Sequence, residues 1–263
     1  RAINRALAAK DGPIVPLIAE TGGLNAMIVD ATALPEQVAD DVVASAFRSA
    51  GQRCSALRLL LVQEDVADKM IEMIEGAARE LKIGDPRDID THIGPVIDAS
   101  ARARLDNHVA AMKDTGKLAW SGTLPALQGT YVAPQVIVLD SVKALTEEHF
   151  GPILHVVRWK SGGLSQLLAE IEATGYGLTM GIHSRIDTTI REVTDALSTG
   201  NIYVNRNIIG AVVGTQPFGG HGLSGTGPKA GGPNYLPRFA TEQTVTVNTA
   251  AAGGNASLMA MGE

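Results

Sequence analysis

The sequence predicts an α/β fold with a largely parallel sheet, and three observations carry that reading. Short apolar runs of strand length recur along the chain, amphipathic stretches of helical period lie between them, and Gly, Pro and Asp clusters punctuate the joins. Strands and helices that alternate in this way build crossover units, whose strands lie parallel. With 263 residues, 45% of them apolar, the chain can bury a sizeable core.

In chain order, residues 1–10 read as a helix and Asp11-Gly12-Pro13 as a turn. A buried-type strand over Val15–Ala19 ends at Glu20-Thr21-Gly22-Gly23, and a second strand covers Ala26–Val29. Leu34, Val38, Val42, Ala46 and Ala50 recur at four-residue steps, predicting a helix that Gly51 stops. Leu57 to Val62 is the next strand. Val66, Met70, Met73, Ile74, Ala77 and Leu81 trace one helical face, so these methionines read as core. Ser100 is the expected N-cap of a polar helix running to about Thr115. Short strands follow around Trp120 and Ile137–Leu139. The loop Thr146–Pro152 leads into the strand Ile153–Trp159. Helix Leu164–Ala173, strand Leu178–His183, helix Asp187–Leu197 and strand Asn201–Val204 complete the alternation. The Gly210–Gly225 stretch is too rich in glycine for a helix. Thr241–Val247 alternates as a strand, suited to pairing with another subunit's edge, and Asn248–Glu263 reads as a tail.

One cysteine stands in the chain, within Gly51-Gln52-Arg53-Cys54-Ser55-Ala56, at the join between a helix and a strand. A thiol there is rigidly placed yet reachable, as a nucleophile must be. Arg53 is positioned to favour the thiolate and Ser55 adds a hydroxyl. The plainer reading of a lone cysteine is a small buried hydrophobe. Glu20, followed by two glycines at a strand end, stands where α/β proteins carry working groups. The plainer alternative is a solvated loop residue. The loop at 146–152 likewise fits a capped turn.

Net charge is -6 and no Lys/Arg-rich run could follow a phosphate backbone, so the expected partners are small molecules and not nucleic acid. A single cysteine excludes a disulfide within the chain and agrees with the reducing cytoplasm, the expected location. No apolar run reaches the roughly 18 residues of a membrane span. His92, His108, His149, His155, His183 and His221 are scattered without HxxxH or HxH spacing, so no metal site is expected. The chain opens at Arg1 inside a helical pattern, which reads as the C-terminal piece of a longer protein.

Taken together, Glu20-Thr-Gly-Gly23, Gly51-Gln-Arg-Cys54, Glu147-Glu-His-Phe-Gly-Pro152, Asn205 and Pro217-Phe-Gly-Gly220 resemble the aldehyde dehydrogenase superfamily. The Cys54-Ser55 pair, Gly210–Gly220 and Gly231-Gly-Pro-Asn-Tyr235 are similar, more narrowly, to L-glutamate γ-semialdehyde (1-pyrroline-5-carboxylate) dehydrogenases. Asn248–Asn255 is similar to the end of the bacterial bifunctional proline utilization A enzymes. The resemblance implies the C-terminal portion of the aldehyde dehydrogenase fold. Residues 1–22 would end the NAD-binding domain, 23–236 would form the catalytic domain, and 237–263 the oligomerisation strand and tail. It implies Cys54 as nucleophile and Glu20 as general base. Glu148 and Phe150 would bind the nicotinamide ribose of NAD. Ser55, Gly210 and Ala211 would hold the substrate α-carboxylate, and Phe218 would line the aliphatic path. It further implies a homo-oligomer, an NAD-binding half upstream, and an FAD-containing proline dehydrogenase domain in the same parent chain. Leu24 departs from the Lys of many relatives. By this reading the 263 residues alone are inactive.

Three alternatives stay open at this level. They are an aldehyde dehydrogenase for another semialdehyde, a thiol hydrolase using Cys54, and a structural module that has lost its chemistry. No histidine is evidently partnered with Cys54, which weakens the hydrolase. Retention of both Cys54 and Glu20 weakens the structural module.

Overall fold

The structure is a computed structural model and describes residues 1–248, 251, 260 and 261. Its centre is a seven-stranded sheet in the order β3-β4-β5-β2-β1-β7-β8. The strands are β1 (Ala26–Val29), β2 (Leu59–Gln63), β3 (Leu118–Ser121), β4 (Gln135–Leu139), β5 (Ile153–Trp159), β7 (Thr179–His183) and β8 (Asn201–Val204). Two short strands, β6 (Tyr176–Gly177) and β9 (His221–Gly222), pair separately and antiparallel. Every pairing in the main sheet is parallel except β3 with β4.

β1 lies between β2 and β7, with Ile28 opposite both Leu61 and Ile182. All four of its residues are buried, because helices cover such sheets on both faces and leave no polar side to alternate with. β3, at the edge, does alternate between more and less exposed positions. Helix α2 (Pro35–Phe47) starts with proline at its first position, where the missing N–H is no loss. It buries Val38, Ala39, Val42, Val43, Ala46 and Phe47, and it packs against α3 (Glu64–Arg79). Met70 of α3 is buried and Met73 packs against the same core, as their helical spacing requires. Helices α4 (Ala99–Asp114), α5 (Leu164–Glu172) and α6 (Asp187–Ala196) follow, after the exposed opening helix α1 (Ala2–Ala8).

Several expected elements change. Val15–Ala19 is not a strand: Pro13 and Pro16 offer no N–H, and the segment is tied instead to the irregular loop near its partner Thr226, with Ala19 N–H donating to Thr226 Oγ1 at 3.0 Å. The helix expected to run to Gly51 stops at Phe47. Ser49, Ala50 and Gly51 then take left-handed conformations (φ 55°, 53° and 63°) that turn the chain sharply. Only a glycine fits the third, since a Cβ on Gly51 would lie 2.1 Å from the Gly151 carbonyl oxygen. Asp98, not Ser100, caps α4 and accepts from Ala101 N–H at 2.6 Å. Thr241–Val247 forms no strand among the described residues, and Val245 is 75% exposed. Most of the expected tail lies outside the described residues.

The direction of the parallel strands fixes where loops gather. Asn25 precedes β1, Cys54 to Arg58 precede β2, Glu148 to Pro152 precede β5, and Leu178 precedes β7. These four segments therefore meet at the amino ends of adjacent strands. That corrects the expectation that Glu20 works from a strand's carboxyl end, where open α/β sheets usually bind ligands.

Candidate active site

Cys54 sits on a tight turn closed by Ala56 N–H donating to the Arg53 carbonyl at 3.0 Å. What holds the turn is Asn25, only 3% exposed. Its Nδ2 donates to the Cys54 carbonyl at 2.6 Å and the Ala56 carbonyl at 2.9 Å, while its Oδ1 accepts from Thr179 N–H at 3.2 Å. One amide thus ties the cysteine turn to β1 and β7. Leu57 N–H donates to Ser45 at 3.0 Å and ties the same turn to α2.

The thiol is half-buried, and burial pushes it above its ordinary value. The N–H groups of Ser55 and Cys54 bond the sulfur and oppose that shift, whereas the charges of Glu148 and Glu20 add to it. The expected help from Arg53 is not met. Its guanidinium turns back to Ser49 Oγ, at 3.3 and 3.2 Å, and so does not serve the sulfur. The resting group is therefore a thiol, which must lose its proton before it can attack, and the nearby Glu20 charge favours the protonated form.

Glu20 bridges antiparallel to Gly225, and its Oε2 accepts from Gly220 N–H at 3.0 Å. Desolvation raises its affinity for a proton, against the pull of that N–H. Placement of the glycine-rich loop around this carboxylate explains the loop's composition.

Glu148 is held by Arg58, which is fully buried. The Arg58 fork reaches Glu148 Oε1 from Nε at 3.3 Å and Nη2 at 3.2 Å, and donates also to the carbonyls of Gly151 (3.1 Å) and Arg53 (3.2 Å). Gly23 N–H bonds the Glu148 carboxylate as well. Burial still pushes the Glu148 carboxyl above its ordinary value. Gly22 is the condition for this arrangement, since a Cβ there would fall 1.7 Å from Glu148 Oε2. Phe150, 41% exposed, lies under the Arg58 guanidinium at 5.1 Å. Beside Glu148 and Phe150 opens a cavity of about 460 Å³, lined also by Arg104, Asn107, His108 and Glu147. A carboxylate acceptor, an aromatic ring and an arginine around such a space fit a ribose-bearing cofactor.

The remaining expected residues are placed as follows. Ser55 is buried, its carbonyl accepts from Thr179 Oγ1 at 3.3 Å, and its hydroxyl makes no hydrogen bond among the described residues. Gly210 has φ +72° with nothing within 4 Å of a Cβ position. The N–H groups of Gly210 and Ala211 are unengaged among the described residues. Phe218 is half-buried and fixed by two backbone bonds to Ala230. Asn205 takes φ 51° and its side-chain amide bonds Ser184 in both directions. Asn25 and Arg58 are the site residues that sequence reasoning missed. Both act on carbonyls or carboxylates distant in sequence, and a polar residue opening an apolar strand was the only available signal. The histidines read as scattered are not so in space: His108, His149 and His155 place ring nitrogens within 4.8 Å of one another. Among the described residues no helix is long and apolar enough to cross a membrane.

Comparison with known proteins adds four findings. The family model described as "Aldehyde dehydrogenase family" matches residues 1–245. The bifunctional protein PutA of Klebsiella aerogenes is 55% identical over 235 residues, covering 87% of this chain and 18% of that protein. A crystal structure of a bifunctional proline utilization A protein superposes with TM-score 0.91 at 72% identity, covering 96% of this chain and 25% of that one. A structure of 1-pyrroline-5-carboxylate dehydrogenase from Thermus with bound NAD gives TM-score 0.84 at 34% identity, over 90% of this chain and 46% of that one. The chain thus spans about a fifth to a quarter of the bifunctional relatives it matches.

Proposed function

Since the chain belongs to the aldehyde dehydrogenase family, we propose that it supplies the thiol, the base and part of the cofactor site for oxidising L-glutamate γ-semialdehyde to L-glutamate. The observation that carries this reading is the convergence of Cys54, Glu20 and Glu148 at the amino ends of the central strands, close enough for both carboxylate charges to act on the sulfur. The PutA and 1-pyrroline-5-carboxylate dehydrogenase names of its relatives support the substrate.

In this mechanism Cys54 gives its proton to solvent water and the thiolate sulfur attacks the aldehyde carbon, forming a C–S bond as the C=O π bond opens to an alkoxide. The Cys54 backbone N–H would be one donor to the developing oxyanion. NAD, when bound, supplies the hydride acceptor. Loss of hydride leaves a thioester on Cys54. Glu20 takes a proton from water, whose oxygen attacks the thioester, and the C–S bond breaks to return thiol and carboxylic acid. The sum is aldehyde, NAD⁺ and water giving carboxylate, NADH and protons. Glu148, fixed by Arg58, would accept the nicotinamide ribose hydroxyls, and Phe150 would pack beside them. Ser55 with the free N–H groups of Gly210 and Ala211 would take the substrate α-carboxylate, since backbone donors of this kind suit anions. Phe218 would line the methylene path.

The domain assignment follows the same reading, with residues 1–22 ending the cofactor-binding domain, 23–236 catalytic, and 237–263 oligomeric. The parent would carry an FAD-dependent proline dehydrogenase upstream. The test supplies full-length protein with glutamate semialdehyde and NAD and follows NADH absorbance. Formation by wild type and loss in Cys54→Ala is expected. Ester hydrolysis without nucleotide dependence would instead point to a thiol hydrolase.

A further inference from the structure

Three imidazoles from a helix, a loop and a strand meet beside the cavity, and the mechanism uses none of them. His155, on β5, is 0% exposed. Its Nδ1 lies 3.0 Å from the Arg58 carbonyl, which can only accept, so Nδ1 carries the proton and Nε2 is a bare lone pair. That lone pair faces His108 Nε2, on α4, at 2.8 Å. His149 stacks on His108 with ring centroids 3.4 Å apart and 17° between planes; its carbonyl accepts from Gly151 N–H at 2.9 Å, while its ring makes no hydrogen bond among the described residues. A buried histidine whose far nitrogen is fixed by a backbone carbonyl and whose near nitrogen is bare is how proteins orient an imidazole toward a metal.

We infer that His108, His149 and His155 form a binding site for one borderline transition-metal cation of the Zn²⁺ class, separate from the groups that carry out the oxidation. Imidazole nitrogens select such cations over Mg²⁺ or Ca²⁺, which prefer oxygen. The cation replaces the proton that His108 and His155 share, with His108 becoming the Nδ1–H tautomer. All three rings are neutral at pH 7, burial having lowered them to about 4, 4 and 3, so no proton competes for them. The nearby Arg58 charge is offset by its ion pair with Glu148 at 3.2 Å. Glu147 lines the same cavity and adds a negative charge felt by His108. Tetrahedral zinc with N distances of about 2.0–2.1 Å needs ligand nitrogens about 3.3 Å apart. His108 and His155 therefore separate by about half an ångström from their 2.8 Å contact, and His149 swings off the His108 face into the cavity. Because His149 lies between Glu148 and Phe150, the bound cation fixes that segment.

The test uses tag-free full-length protein carrying Cys54→Ser, which removes the thiol as a competing ligand. It is titrated with Co²⁺ while the visible ligand-field bands are followed, and Zn²⁺ is then added. The expected result is one equivalent of four-coordinate Co²⁺, displaced by Zn²⁺, with affinity at least tenfold weaker in each of His149→Leu and His108→Gln. Circular dichroism identifies any variant that does not fold, and the other then decides. Absence of the bands, or equal affinity in the folded variants, overturns the site.

Discussion

In the proposed role as base Glu20 has to be ionised, and its carboxyl holds a proton more firmly than a solvated glutamate because burial beside the glycine loop outweighs the Gly220 N–H. Activity should therefore fall, as pH drops, at a higher pH than a free glutamate would dictate. A pH profile of thioester hydrolysis measures this limb, which Glu20→Gln should abolish together with most of the rate. A limb unmoved in that variant would assign it to another group. Arg58 poses a different residue-level question, since it touches no reacting atom but holds Glu148 by a two-nitrogen fork. Arg58→Met strands a largely buried carboxylate and should cost about 3 kcal/mol of stability. Arg58→Lys loses the planar fork and should not restore the apparent KM for NAD. Thermal melts and a KM-against-kcat comparison separate the two effects; a normal KM in both variants would remove Arg58 from cofactor positioning.

At the scale of elements, the site is made by strand beginnings held together by one buried amide. Asn25→Ala removes two donated bonds to carbonyls and one accepted from Thr179, leaving buried groups unpaired at about 1–3 kcal/mol each. It should lower kcat at least tenfold while leaving the cofactor KM near wild type, a split that steady-state kinetics will show. The parallel strands were readable because both faces of β1 and β2 are covered, so the chain there is apolar without interruption. Cys54 and Glu148 were readable from their motifs. The brace was not, because Asn25 bonds residues 29 and 31 positions away in sequence. Nor was the histidine cluster, which only the packing of α4 against β5 assembles. That cluster makes a stability prediction. The folded rings take protons only near 4, 4 and 3, whereas the unfolded chain takes them near 6.5. Since the unfolded state binds more protons, their contribution is complete above about 6.5 and is lost as pH falls through and below that value. In metal-free buffer, melting temperature should fall from pH 7 to 5, less steeply in His149→Leu; equal slopes would contradict this.

For the whole molecule, the exposed Val245 and Val247, on a segment unpaired among the described residues, fit an edge completed by a second subunit. Removing residues 241–263 should lower the solution mass measured by light scattering, and an unchanged mass would assign the contact elsewhere. The central claim is that a thiol at residue 54 carries the substrate until a carboxylate at residue 20 releases it. Intact mass spectrometry of full-length Glu20→Gln, mixed with NAD and glutamate semialdehyde, tests it most directly. The account predicts a gain of one glutamyl group, located by proteolysis on Cys54 and absent from the double variant that also carries Cys54→Ala. No adduct despite NADH formation, or an adduct on any other residue, would contradict it.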